Sequence, residues 1–171
     1  MTTSVTSSAI SKATAANPNC ARTFASLCFY GDHLISDELT RILGVAPSES
    51  AAKGDQAAAP NGRVRTAATG RWILSSENAV ASFDVNDHVL WLLKQIMVLP
   101  PPYPPFSHAG PSRNGSAGKP WSIAGVTRAW VNCYWESATG QGGPSLPPDL
   151  MFWLGMYQLE LNFDVYFAGV P

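Results

Sequence analysis

Residues 34–44 read LISDELTRILG, and residues 145–155 read SLPPDLMFWLG. Laid together without gaps, they place Glu38 on Asp149, Leu39 on Leu150, Leu43 on Leu154 and Gly44 on Gly155. In the first segment Leu39, Ile42 and Leu43 make one apolar face at i, i+3, i+4. Ser36 is placed to cap that helix, Asp37 and Glu38 suit its positive end, and Gly44 is a natural left-handed stop. In the second, Pro147 and Pro148 open a helix with Asp149 in its first turn. Each segment follows an aromatic strand end, Phe29-Tyr30 or Tyr134-Trp135, and precedes another strand. The pattern predicts an α+β fold: two split β-α-β halves of ferredoxin-like flavour sharing one sheet, with helices over one face.

The flanking sequence supplies the other elements. RTFASLCFY, residues 22–30, reads as a strand ending at Gly31-Asp32. Trp72-Ile73-Leu74 is a short strand, and VTRAWVNCYW, residues 126–135, is a strand by its β-branched and aromatic content. An extra helix between the halves starts at Asp84 or Asn86. Its stripe is Val85, Val89, Leu92, Leu93 and Ile96, with Lys94 late and Pro100 beyond its end. At residues 159–167, Leu159, Leu161, Phe163, Val165 and Phe167 alternate with Glu160, Asn162, Asp164 and Tyr166. That is the signature of a half-buried strand.

The 171 residues suit one domain. Residues 1–20, rich in Ser, Thr and Ala, read as a disordered tail before a domain at 21–171. Residues 46–70 and the Pro-rich 98–120 read as long loops. Charged residues are 13% of the chain, about half the usual share, and the net charge is -1, which opposes a polyanion-binding role. No apolar run reaches membrane-span length. Three cysteines and no secretory signal point to a reducing cytoplasm.

Leu34–Ser48, then Lys53-Gly54-Asp55, then Trp72-Ile73-Leu74-Ser75-Ser76 resemble the bacterial family catalogued as domain of unknown function 4279. Its pattern continues with an Asp-x-x-x-His helix, here Asp84 to His88, and a closing Asp-x-Tyr strand, here Asp164 to Tyr166. The Pro-rich 98–120 stretch and the Ala-rich 51–70 stretch depart from that pattern. The resemblance implies no activity.

Chemistry-bearing spacings are missing. His33, His88 and His108 lie far apart, and no His-x-x-x-His or Cys-x-x-Cys occurs, so neither metal nor cofactor is expected. No Gly-x-Ser-x-Gly and no P-loop is present, and no catalytic residue is assigned. Cys28 and Cys133 fall at matching places in two strands and read as apolar packing. Charge is segregated. Residues 41–72 carry a local +3 and residues 121–171 a local -3, and ten of 18 aromatics lie between Trp121 and Phe167. The residues expected to meet a ligand or partner are Lys53, Asp55, Arg63, Arg65, Arg71 and Trp72. The reading is a binding or interaction module of immunity or accessory type, whose partner is another protein or a second copy, not a membrane or nucleic acid. The alternative is an enzyme with an anion site joining His33, Asp55 and the Arg63–Arg71 loop. An open second sheet face favours the module; a closed polar pocket favours the enzyme.

Overall fold

The computed structural model describes residues 19–58, 62–99 and 123–167. In chain order its elements are β1 (Cys20–Gly31), α1 (Ser36–Leu43), β2 (Glu49–Ala51), β3 (Gln56–Ala58), β4 (Val64–Thr66), β5 (Gly70–Ser75), α2 (Val85–Ile96), a 3-10 turn (Ile123–Gly125), β6 (Arg128–Ser137), α3 (Pro148–Met156) and β7 (Glu160–Phe167). Among the described residues the fold is α+β, with three helices, a mixed five-stranded sheet and a two-stranded sheet. The tail expectation for residues 1–18 and the loop expectation for residues 100–120 lie outside the described residues. Cys20, placed in the tail, already belongs to β1.

The five-stranded order is β2-β5-β1-β6-β7. β1 is central because it pairs antiparallel with β5 on one side and β6 on the other. β5 and β6 therefore run parallel to each other, and α2 lies in the connection between them. β7 pairs parallel with β6, which requires the crossover that α3 supplies.

One face of this sheet makes the core. Ala25, Leu27 and Phe29 of β1, Trp72 and Leu74 of β5, and Ala129, Val131 and Cys133 of β6 share one parity and are buried. Val85, Val89, Leu92, Leu93 and Ile96 of α2 pack over them, with Leu39 and Leu43 of α1 and Leu150 and Leu154 of α3. Each such side chain contributes about 1.5–3 kcal/mol on leaving water. Asp84 caps α2 by accepting from the Asn86 N–H at 3.0 Å. Gly44 ends α1 in the left-handed conformation, φ +69°.

The tertiary structure corrects several expectations. The two halves are not equivalents: β1 and β5 are antiparallel neighbours, whereas β6 and β7 are parallel neighbours. Gly155 lies inside α3, which continues to Met156, so it does not terminate a helix as Gly44 does. α1 leads from β1 to β2, which run parallel with β5 between them, whereas α3 joins the adjacent parallel strands β6 and β7. Ile35, not Ser36, is the N-cap of α1, and no side chain caps it. The 46–70 stretch carries β2, which extends the sheet beyond β5, and the β3–β4 hairpin. β7 is not half-buried. It sits at the sheet edge with Phe163, Val165 and Phe167 at 39%, 41% and 59% exposure.

Candidate functional site

All three described helices pack on one face of the sheet. The other is free of them, although Cys28 on it is buried and the β3–β4 hairpin lines a concavity with Arg71 of β5. The open face takes Phe24, Ser26, Cys28 and Tyr30 from β1, and Trp130, Asn132, Tyr134 and Glu136 from β6. Asp164 and Tyr166 of β7 continue it, and Arg71 and Ile73 of β5 lie on its other side. The alternation that sends Leu27 and Val131 into the core sends these residues outward.

The aromatic rings on this face stack across strands. Phe24 lies against Tyr134 at 4.8 Å between centroids, with 9° between ring planes. Tyr134 in turn stacks on Tyr166 at 5.0 Å, so three rings from β1, β6 and β7 form a row. Tyr30 stacks on Trp130 at 4.7 Å. The Arg22 guanidinium sits 5.4 Å from the Phe24 ring centre, and that of Arg128 sits 4.7 Å from Trp130. Tyr134 donates to Glu136 Oε2 at 3.1 Å. Desolvation among the rings, then that hydrogen bond, raises the Tyr134 phenol above its ordinary range. The charges pair across strands: Arg128 with Glu160 at 2.8 Å, Arg71 with Glu49 at 2.7 Å, and Asn132 donates to Asp164 at 2.7 Å.

A family model described as a domain of unknown function (DUF4279) matches residues 21–168. The chain belongs to this family. No curated protein and no solved structure matches the chain. The DUF4279 motif residues named from the sequence mostly hold the scaffold. Ser48 Oγ accepts from the Ser75 N–H at 2.9 Å and ties the entry of β2 to β5. Asp55 accepts from the Ala52 N–H at 2.7 Å and closes the turn through Gly54. Trp72 Nε1 donates to Thr40 Oγ1 at 3.0 Å and locks β5 to α1. His88 is 1% exposed, with Nδ1 2.8 Å from Ser76 Oγ and Nε2 3.0 Å from the Ser82 carbonyl. A carbonyl only accepts, so Nε2 carries a proton, while the single proton of Ser76 Oγ lies between Nδ1 and the Ala25 carbonyl, 2.9 Å away. This Ser–His contact is sealed, because Ser76 is 0% exposed and also holds the Ala25 N–H. It joins β5 to β1 and α2, and no substrate reaches it. Asp164 and Tyr166, in contrast, face outward on the open sheet face.

The six residues expected to contact a ligand do not form one cluster. Trp72 is wholly buried and drops out as a contact residue. Lys53 pairs with Asp32 at 2.5 Å. That hydrogen bond first, then one from Thr69, lowers the Asp32 carboxyl below its ordinary range. Asp55, Arg65 and Arg71 do converge, lining a concavity of about 330 Å³ with Ala51, Ala57, Ala58, Thr66, Ala67 and Ala68. His33, Lys53 and Arg63 do not line it. Among the described residues, no group of three or more His, Cys, Asp or Glu side chains could hold a metal ion. RAWVNCYWES carries the signal of the row: Trp130 and Tyr134 share the parity of Arg128, Asn132 and Glu136.

Cys28 and Cys133 are buried but not equivalent. Cys133 faces the core, and Cys28 lies on the opposite side of the sheet. Burial pushes both thiols up from 9.0 to about 12. A raised folded-state value leaves stability intact below the unfolded value and removes it as pH rises towards the folded one. Each thiol is therefore expected to remove about 1.4 kcal/mol per pH unit between about pH 9 and pH 12. Urea unfolding at increasing alkaline pH should show a shallower decline in the Cys28→Ala/Cys133→Ala variant. Equal slopes would show that the thiols do not titrate with unfolding.

Proposed function

We propose that this domain is an interaction module whose helix-free sheet face receives another protein, in the manner of an immunity or accessory protein. The observation that carries the reading is the open row Phe24–Tyr134–Tyr166 with Trp130 beside it. Rigid, amphipathic rings supply contact area at low entropic cost and are enriched in protein interfaces. The charges on this face nearly balance, with Arg22, Arg71 and Arg128 near Glu49, Glu136, Glu160 and Asp164. A mixed rim suits a protein partner and opposes a phosphate backbone. No helix in the described residues is long and apolar enough to cross a membrane. Three unpaired cysteines, all buried, fit a reducing cytoplasm.

The test uses the full chain as bait against its native cell extract, with Trp130→Ala/Tyr134→Ala as the matched control. The captured protein is then purified. It should bind the wild type stoichiometrically and lose at least about tenfold in affinity for the variant, as expected when central aromatic anchors are truncated. Equal binding by a variant that melts like the wild type removes the open face from the reading.

The concavity at Asp55, Arg65 and Arg71 favours a second reading, an anion-binding site. Thermal-shift titration with phosphate, nucleotides and carboxylates tests it. A saturable rise in melting temperature that Arg65→Ala/Arg71→Ala abolishes supports a small-molecule site, and no shift with any of them removes it.

A further inference from the structure

The open edge of β7 carries an inference separate from the rings of the sheet face. Among the described residues, β7 has β6 on one side and no strand on the other. Its eight residues, ELNFDVYF, include no Lys and no Pro, and its two charged side chains, Glu160 and Asp164, are engaged by Arg128 and Asn132 of β6. On its helix side Phe163, Val165 and Phe167 are 39–59% exposed. Nearby in sequence α3 leaves Met151, Phe152 and Trp153 exposed at 52%, 51% and 36%. A helix apolar on every side belongs in a buried place.

We propose that β7 is the seam of a homodimer, pairing antiparallel with β7 of a second copy to join the two sheets into one of ten strands. The proposal deepens the interaction-module reading by naming a second copy as a partner, at an edge distinct from the stacked rings. The argument is self-complementarity. In a two-fold antiparallel pair, residues facing each other share a face, so the axis passes through a residue. An axis at Asp164 sets Asp164 against its own copy, and an axis at Asn162 sets Glu160 against Asp164. Like charges directly opposite are destabilising. An axis at Phe163 avoids both. It sets Phe163 against Phe163, Leu161 against Val165 and Leu159 against Phe167 on the helix side. On the other side it sets Asn162 against Asp164 and Glu160 against Tyr166, each able to hydrogen-bond. The apolar row of one copy then meets that of the other, and the α3 side chains approach across the same seam.

Charge at position 162 tests the seam without touching the core, because Asn162 is exposed. Sedimentation velocity on the full chain at micromolar concentration should give twice the monomer mass. Asn162→Asp places a carboxylate opposite Asp164 twice per dimer and should weaken the dimer about tenfold, most strongly at low salt. Asn162→Lys should tighten it several-fold, with the opposite salt dependence. Both variants should melt cooperatively. A monomeric wild type overturns the proposal and leaves the open-face reading standing. A dimer that neither variant changes also overturns it. A dimer lost only in Trp130→Ala/Tyr134→Ala overturns it as well, and places the copies ring face to ring face.

Discussion

Gly125→Ala is expected to lower the unfolding free energy by at least about 3 kcal/mol, or to prevent folding. Gly125 closes the 3-10 turn ahead of β6 at φ +75°. A Cβ there would sit 2.0 Å from the carbonyl oxygen of His33 and 3.0 Å from the Leu34 N. Both are backbone atoms of the β1–α1 turn, so no side chain can swing aside. The same turn is bound by Ile35 N–H to the Ala124 carbonyl at 2.8 Å and Thr127 N–H to the Tyr30 carbonyl at 2.8 Å. Gly31 meets it from the other direction, its own Cβ position being 2.1 Å from the Gly125 oxygen. Gly44→Ala is the matched control, because Gly44 also has positive φ but no atom within 4 Å of its Cβ position. That variant should lose only the left-handed backbone penalty, about 1–2 kcal/mol. Chemical denaturation of both variants reads the difference. Equal losses would mean that the turn at Gly125 yields and that the close approach has no energetic weight.

Trp72→Ala should cost about 3–5 kcal/mol, a fall in melting temperature on the order of 10 °C. Trp72 is 0% exposed, its ring lies 5.7 Å from that of Phe29, and its indole N–H satisfies Thr40. Truncation leaves a cavity at the junction of β1, β5 and α1 and an unpartnered hydroxyl beside it. Trp72→Phe should lose less, because most of the volume remains. Neither substitution should alter anion binding at Arg65 and Arg71 once measured well below the melting temperature. A stable Trp72→Ala protein with impaired ligand binding would return Trp72 to the surface and reverse its assignment to the core.

The elements were legible because local periodicity is written residue by residue. The α2 stripe from Val85 to Ile96 is buried as its spacing requires, and β1, β5 and β6 occupy the stretches that their β-branched and aromatic content marks. Pairing was less legible. Leu39 and Leu150 sit alike on their helices, yet α1 leads to a strand, β2, that β5 separates from β1, and α3 joins the direct neighbours β6 and β7. Strand adjacency depends on which distant edge buries most apolar area, and a short window does not record that. The three short strands in 46–70 escaped for a related reason. β2 is defined by its bonds to β5, not by an apolar pattern of its own.

The candidate site divides along the same line. Sequence by itself determined the absence of local metal and phosphate motifs, the balanced net charge, and the alternation that makes one side of each strand aromatic and polar. It also identified the residues that resemble DUF4279. Only the tertiary structure decided that Trp72 is scaffold, that His88 is sealed against Ser76, and that β7 lies at the edge of the described sheet with Phe163, Val165 and Phe167 partly exposed. The physical reason is that exposure belongs to layers. An alternating strand shows which residues share a face, but what lies against that face is settled by the packing of elements far apart in the chain. Here all three helices took one side of the sheet, and the stacked rings of Phe24, Tyr134 and Tyr166 were left on the other.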